Sequence, residues 1–152
     1  MAQIHKLHVE ADIKSPADKF YGMFRNSMSD FPKAYPEMYK SIDLLAGDGK
    51  TVGSIILLKY STGSGAVSVA KDRIVAVDEK ERSITYEVIE GDLLAIYNSF
   101  VLKIQVTEEV VNKSVVKWSV EYEKRSEDVP EPDFLMLLAK TKKLDTYLLK
   151  EH

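Results

Sequence analysis

Cysteine is missing from all 152 residues of the chain. That absence removes disulfides, thiolate zinc sites, iron–sulfur clusters and cysteine nucleophiles together. Histidine is nearly as scarce: His5, His8 and His152 are the only three, so neither a metal site nor a cofactor is expected. A basic excess is lacking too. Lysine plus arginine number 21 against 24 aspartate plus glutamate, a formal charge of −3. Such a balance does not suit a phosphate-tracking surface, and no nucleic-acid partner is expected. Apolar runs such as Ile55-Ile56-Leu57-Leu58 fall far short of the roughly 20 residues that span a bilayer. Residues 1–14 carry charges every few positions and hold no signal-peptide core. The expected setting is the cytosol, without membrane insertion, and Asn112-Lys113-Ser114 then reads as a turn and not as a used glycosylation site.

What is present is an ordinary globular balance, 45% hydrophobic and 30% charged. No linker or repeat divides it, so residues 1–152 read as one domain, a monomer or weak dimer. Residues 4–13 alternate, with Leu7, Val9, Ala11 and Ile13 on one face and Lys6, His8, Glu10 and Asp12 on the other, as in a half-buried strand. Ser15-Pro16-Ala17-Asp18 offers an N-cap and a first-turn proline for a helix carrying Phe20, Met23 and Phe24. A second short helix is expected from Ser29 to about Tyr35, limited by Pro32 and Pro36.

From Tyr39 onward strands alternate with turns. Ile42 and Leu44 share a face, and Gly47 through Gly53 turns the chain into Ser54–Tyr60. Gly63-Ser64-Gly65 turns it again into an irregular strand, Val67–Val77, interrupted by Lys71-Asp72-Arg73. Ile84, Tyr86 and Val88 follow on one face, then Phe100, Leu102, Ile104 and Val106, then Val116, Trp118, Val120 and Tyr122. Short connections between successive strands imply an antiparallel meander with one wet face. Residues 131–150 read as one long amphipathic helix. Phe134, Leu137, Leu138, Thr141, Leu144 and Leu148 form its apolar stripe, and Lys140, Lys142, Lys143 and Lys150 face outward. A large curved sheet buries its inner face only if this helix lies across it, an arrangement that favours an internal binding pocket.

Several motifs invite chemistry. Gly49-Lys50-Thr51 matches the end of a phosphate-binding loop, but Leu44 stands where its first glycine belongs and a strand follows where a helix is needed; a tight hairpin loop is the better reading. His5 and His8, three apart on a strand, point to opposite faces and cannot chelate one ion. Tyr60, Tyr86 and Tyr122 point inward, where each hydroxyl needs a backbone, water or ligand partner. Lys71-Asp72-Arg73 suits a bulge with solvated charges. Should Lys71 or Asp72 turn inward, burial would shift its pKa and make it an acid–base candidate.

These residues also carry a family resemblance. Leu45-Ala46-Gly47-Asp48-Gly49-Lys50-Thr51-Val52-Gly53-Ser54-Ile55 resembles the glycine-rich loop of the plant Bet v 1 superfamily. Asp72-Arg73-Ile74 through Asp78 and Tyr86-Glu87-Val88-Ile89-Glu90-Gly91 are similar to the two strands after it. Lys117-Trp118-Ser119-Val120-Glu121-Tyr122-Glu123-Lys124 is similar to the penultimate segment of major latex proteins. Phe31-Pro32-Lys33-Ala34-Tyr35-Pro36 and Tyr147-Leu148-Leu149-Lys150 point the same way. The resemblance spans essentially the whole chain. It implies an α+β helix-grip fold: a seven-stranded curved antiparallel sheet around the C-terminal helix, two short supporting helices and a large cavity. It also implies Tyr86 on the cavity wall, and hydrophobic or amphipathic plant metabolites as ligands.

Some relatives are enzymes of specialised metabolism. Norcoclaurine synthase-type members carry an inward tyrosine and acid on the strand that spans 98–106 here, where this chain has Phe100 and Leu102. No catalytic residue transfers. The first functional expectation is therefore a binding or carrier protein for one small hydrophobic molecule. Its predicted wall is Val9, Phe24, Phe31, Ile42, Leu44, Ile56, Leu58, Tyr60, Val67, Ile84, Tyr86, Phe100, Leu102, Trp118, Val120, Leu138 and Thr141. The second is a cofactor-free cyclase or isomerase that positions a reactive terpenoid, such as an iridoid precursor, or an alkaloid intermediate in the same cavity.

Overall fold

The computed structural model describes residues 3–61, 66–110 and 113–150. The turn expected at Gly63-Ser64-Gly65, Asn112 of the glycosylation pattern and His152 lie outside them. Seven strands form one antiparallel sheet: β1 (Ile4–Ile13), β2 (Tyr39–Ala46), β3 (Ile55–Ser61), β4 (Val67–Asp78), β5 (Ser83–Gly91), β6 (Tyr97–Val110) and β7 (Lys113–Lys124). Their order is β1-β7-β6-β5-β4-β3-β2, so a continuous meander ends with β1 laid against β7. Helices α1 (Ala17–Arg25) and α2 (Phe31–Ala34) follow β1, and α3 (Phe134–Lys150) closes the chain.

The alternation on β1 is realised: Lys6, His8, Glu10 and Asp12 are exposed, and Ile13 is buried at the end of the inward row. Val9 pairs with Trp118 and Leu7 with Val120, which brings two inward rows together. The buried side chains form two clusters. The larger holds Phe20, Phe24, Phe31, Ile84, Tyr86, Ile104, Trp118 and Leu144; the smaller holds Val88, Tyr97, Phe100, Val120 and Tyr122.

Three local expectations change. Ser15 does not cap α1; Pro16 occupies that position without a side-chain cap. The Ser15 hydroxyl instead donates to Asp145 Oδ1 at 2.5 Å, and Asp145 also accepts from the backbone N–H groups of Lys14 (3.0 Å) and Ser15 (2.9 Å). A tertiary carboxylate thus out-competes the local cap and ties α3 to the corner between β1 and α1. The third helix starts later than residue 131, because Asp133 Oδ1 accepts from Leu135 N–H at 3.0 Å and so defines its first turn. Phe134, expected on the buried stripe, is exposed at that turn.

The Asp145 junction gives a first prediction. Asp145→Ala should lower unfolding free energy by about 2 kcal/mol in urea titrations, since it strands the buried Ser15 N–H and hydroxyl. An unchanged midpoint would show that the corner is held by packing alone.

Candidate functional site

Between the sheet and the N-terminal half of α3 lies a cavity of about 380 Å³. Leu58 and Tyr60 from β3, Ala70 and Asp72 from β4, and Val88 from β5 form one wall; Tyr97, Phe100 and Leu102 from β6 and Val120 from β7 form the other. Met136, Leu137 and Lys140 of α3 cover it, and Ile96, Glu131 and Asp133 stand exposed around its rim. Tyr97, at the same end, donates its hydroxyl to Pro130 O at 2.7 Å and pins the segment leading into α3.

The lining is largely apolar; besides Glu131 and Asp133 at the rim, two charged side chains, Asp72 and Lys140, enter it. Asp72 is placed there by the irregular strand β4. Lys71 and Arg73 turn outward to pair with Glu90 and Glu87, each at 2.6 Å. Asp72, between them, turns inward with Ala70 and Ile74, next to a register shift between Lys71 and Asp72. Its Oδ1 is fully buried and has no hydrogen-bond partner among the described residues, and the residue lines the cavity. Burial, opposed only in part by the positive charge of Lys140, pushes its carboxyl up to about 7.

Lys140 is the second group, and here the sequence expectation was wrong. It does not face outward: it is 8% exposed and lines the cavity. Its Nζ lies 5.1 Å from the ring centroid of Phe24, 5.0 Å from Phe31, 5.0 Å from Tyr39 and 5.3 Å from Trp118. Burial pulls its ammonium down to about 8, against a smaller upward influence from Asp72. The position is legible in hindsight. Leu137, Lys140 and Leu144 follow one another at spacings of three and four, the phase of the buried face, and only the residue's charge argued for the outside.

The predicted wall residues fall into groups. Leu58, Tyr60, Phe100, Leu102 and Val120 come together on the cavity. Phe24, Ile42, Leu44 and Ile56 instead border a smaller depression of about 240 Å³ beneath the glycine-rich loop; Leu44 is 52% exposed there, at the free edge of the sheet. Phe31, Ile84 and Tyr86 are buried in the larger core cluster, with Val9 half-buried against it. Trp118 and Thr141 form a helix–sheet joint: Trp118 Nε1 donates to Thr141 Oγ1 at 2.8 Å, which donates to Leu137 O at 2.7 Å. Leu138 is half-buried on the flank of α3, and Val67 is 54% exposed at the start of β4.

Tyr39, Tyr97, Ala70, Val88, Met136 and Leu137 line the cavity without having been predicted. Tyr97 escaped because a register shift between Tyr97 and Ser99 breaks the alternation read backward from Phe100. Tyr86 carries a buried hydroxyl without a partner among the described residues, but it packs within the core and not on the cavity wall. Burial, with Asp72 nearby, raises its pKa.

The remaining motifs find structural partners. His5 stacks on Tyr122 with centroids 5.3 Å apart, and His8 Nδ1 lies 3.0 Å from Ser119 Oγ on the outer face. In the glycine-rich loop Asp48 Oδ1 accepts from the N–H groups of Lys50 and Thr51, both at 2.8 Å. The loop satisfies its own donors and runs into strand β3, so no phosphate cradle forms.

Comparison with known proteins agrees with this architecture. The model of the pathogenesis-related protein Bet v 1 family matches residues 2–151. MLP-like protein 423 of Arabidopsis thaliana is 41% identical over 150 residues, covering 95% of this chain and 94% of that protein. The crystal structure of ginseng major latex-like protein 151 from Panax ginseng superposes with a TM-score of 0.89 at 32% identity, over 95% of this chain and 97% of that one. Norcoclaurine synthase from Thalictrum flavum, in complex with dopamine and hydroxybenzaldehyde, has a TM-score of 0.82 at 21% identity over 99% of this chain and 90% of that one; at that identity the likeness is one of fold. Among the described residues no helix is long and apolar enough to cross a membrane.

Proposed function

This chain belongs to the pathogenesis-related protein Bet v 1 family, and from that premise we propose that it binds and carries a small hydrophobic or amphipathic metabolite in the cavity between its sheet and α3. One observation carries the reading: about 380 Å³ of space lined by Leu58, Val88, Phe100, Leu102, Val120 and Leu137, with polar groups confined to a few positions. Such a lining draws in an apolar body by the hydrophobic effect, at about 25 cal/mol per Å² buried, and leaves orientation to Tyr60, Asp72 and Lys140. The family relationship supports the same reading.

A matched pair of proteins tests it. Wild-type protein should show ligand-dependent thermal shifts and 1:1 complexes by native mass spectrometry across a panel of plant lipids and terpenoids. Leu102→Trp, which fills the cavity from β6, should weaken the best of these at least about tenfold, near 1.4 kcal/mol, without loss of thermal stability. A panel without a single binder, or affinities untouched by the tryptophan, would count against the cavity as the binding site.

A second reading, a cofactor-free cyclase or isomerase, draws support from the inward carboxyl of Asp72, which a purely passive container does not need. Its signature would be a protein-dependent change in product ratio when a reactive enol or dialdehyde closes in the presence of the protein.

A further inference from the structure

The inner end of the cavity holds an arrangement that simple storage does not explain. Lys140 is enclosed by the rings of Phe24, Phe31, Tyr39 and Trp118, yet it lines open space. Asp72 lines the same space and couples electrostatically to Lys140; its buried Oδ1 has no hydrogen-bond partner among the described residues. A primary amine and a carboxylic acid therefore face one apolar chamber.

We propose that this pair is a carbonyl-capture site, at which Lys140 binds an apolar aldehyde as a reversible imine and Asp72 supplies the proton that releases water. The inference rests on the cavity being the ligand site.

An anionic ligand fits the same end less well. It would place a negative charge between the carboxyl of Asp72 and the electron-rich ring faces around Lys140. A neutral carbonyl meets no such repulsion, and its hydrocarbon chain suits the remainder of the wall. The amine is also prepared for attack. A lysine held near a pKa of about 8 is roughly one-quarter neutral at pH 7.5, where an exposed lysine is about one-thousandth neutral.

The chemistry balances. The Nζ lone pair forms a bond to the carbonyl carbon as the C=O π pair moves to oxygen, and a proton passes from nitrogen to that oxygen. The resulting carbinolamine hydroxyl takes the proton of Asp72, the C–O bond breaks and water leaves. The nitrogen lone pair then closes the C=N bond, which leaves a protonated imine beside the Asp72 carboxylate. Water is the sole by-product, and hydrolysis by the reverse path frees the aldehyde.

The test uses n-decanal with sodium cyanoborohydride at pH 7.5, and n-decanol as a non-reacting probe of the same chain length. Wild-type protein should bind decanol by native mass spectrometry. With substoichiometric decanal it should acquire one decyl group, mapped by peptide mass spectrometry to Lys140. Lys140→Met should lower the yield of that adduct at least about tenfold, and Asp72→Asn should slow its formation about a hundredfold, the low side of what a positioned acid contributes. Decanol binding together with decyl groups scattered over exposed lysines would overturn carbonyl capture and leave the carrier reading standing. Failure of both probes to bind would overturn both. The mapping on wild-type protein decides the point even if a variant does not fold.

Discussion

Alanine at Gly91 should cost about 4 kcal/mol of unfolding free energy, combining the strain of a non-glycine residue at positive φ with backbone overlap. Gly91 ends β5 with φ at 130°. A Cβ built there would lie 2.2 Å from Val69 O and 2.8 Å from Ala70 Cα, both backbone atoms of β4. No rotamer relieves such a clash, because Cβ is fixed by the main chain; the strands must separate. Asp92, the next residue, accepts from Val69 N–H at 2.7 Å and would lose that bond as they part. Gly53→Ala is the matched control. Its φ is 98°, but a Cβ there meets nothing within 4 Å, so only backbone strain of about 1–2 kcal/mol applies. Equal losses for the two variants in urea denaturation would sink the argument from close approach. The damage should also reach the ligand, because Ala70 lines the cavity and the next inward residue of β4 is Asp72.

Much of this architecture can be read from alternation. The inward rows of β1, β3, β6 and β7 carry apolar side chains at period two, and the apolar stripe of α3 has to cover them. Bulges and enclosed charges are what pattern reading cannot resolve. A bulge changes which face a residue takes without changing the sequence period around it, and so hid Tyr97 and left Asp72 undecided. Charge misled at Lys140, because a lysine on a helix is assigned to water unless something recompenses its burial; here four rings do so in part. Trp118, Thr141 and Tyr86 were misplaced for another reason. Inward on a curved sheet means either core or cavity, and only the path of α3 over the sheet separates the two.

The charged end of the cavity should make the protein less stable than it could be. Asp72 ionises at 3.8 when free and at about 7 when folded. Below pH 3.8 it is neutral in both states and costs nothing; as pH rises through about 7, the unfolded chain gains from ionising first and folding stability is lost. Lys140 runs the opposite way, from 10.5 free to about 8 folded. It costs nothing above 10.5, and stability is lost as pH falls from there through about 8. Between about pH 7 and 8 both penalties stand at full size, softened by attraction between the pair. Few other charges intervene. Tyr39, Tyr60 and Tyr86 are titratable groups near Asp72, Glu131 and Asp133 stand at the cavity rim, and Lys71 and Arg73 are engaged with Glu90 and Glu87 on the outer face. The double variant Asp72→Asn/Lys140→Met should therefore exceed wild type at pH 7.5 by on the order of 3 kcal/mol, with the gap narrowing toward pH 4 and pH 10.5. Urea titrations at these three values decide it. A double variant no more stable than wild type at pH 7.5 would mean that the pair is a structural asset. A more stable one that has lost decanal trapping would tie the destabilising charges directly to what the cavity does with its ligand.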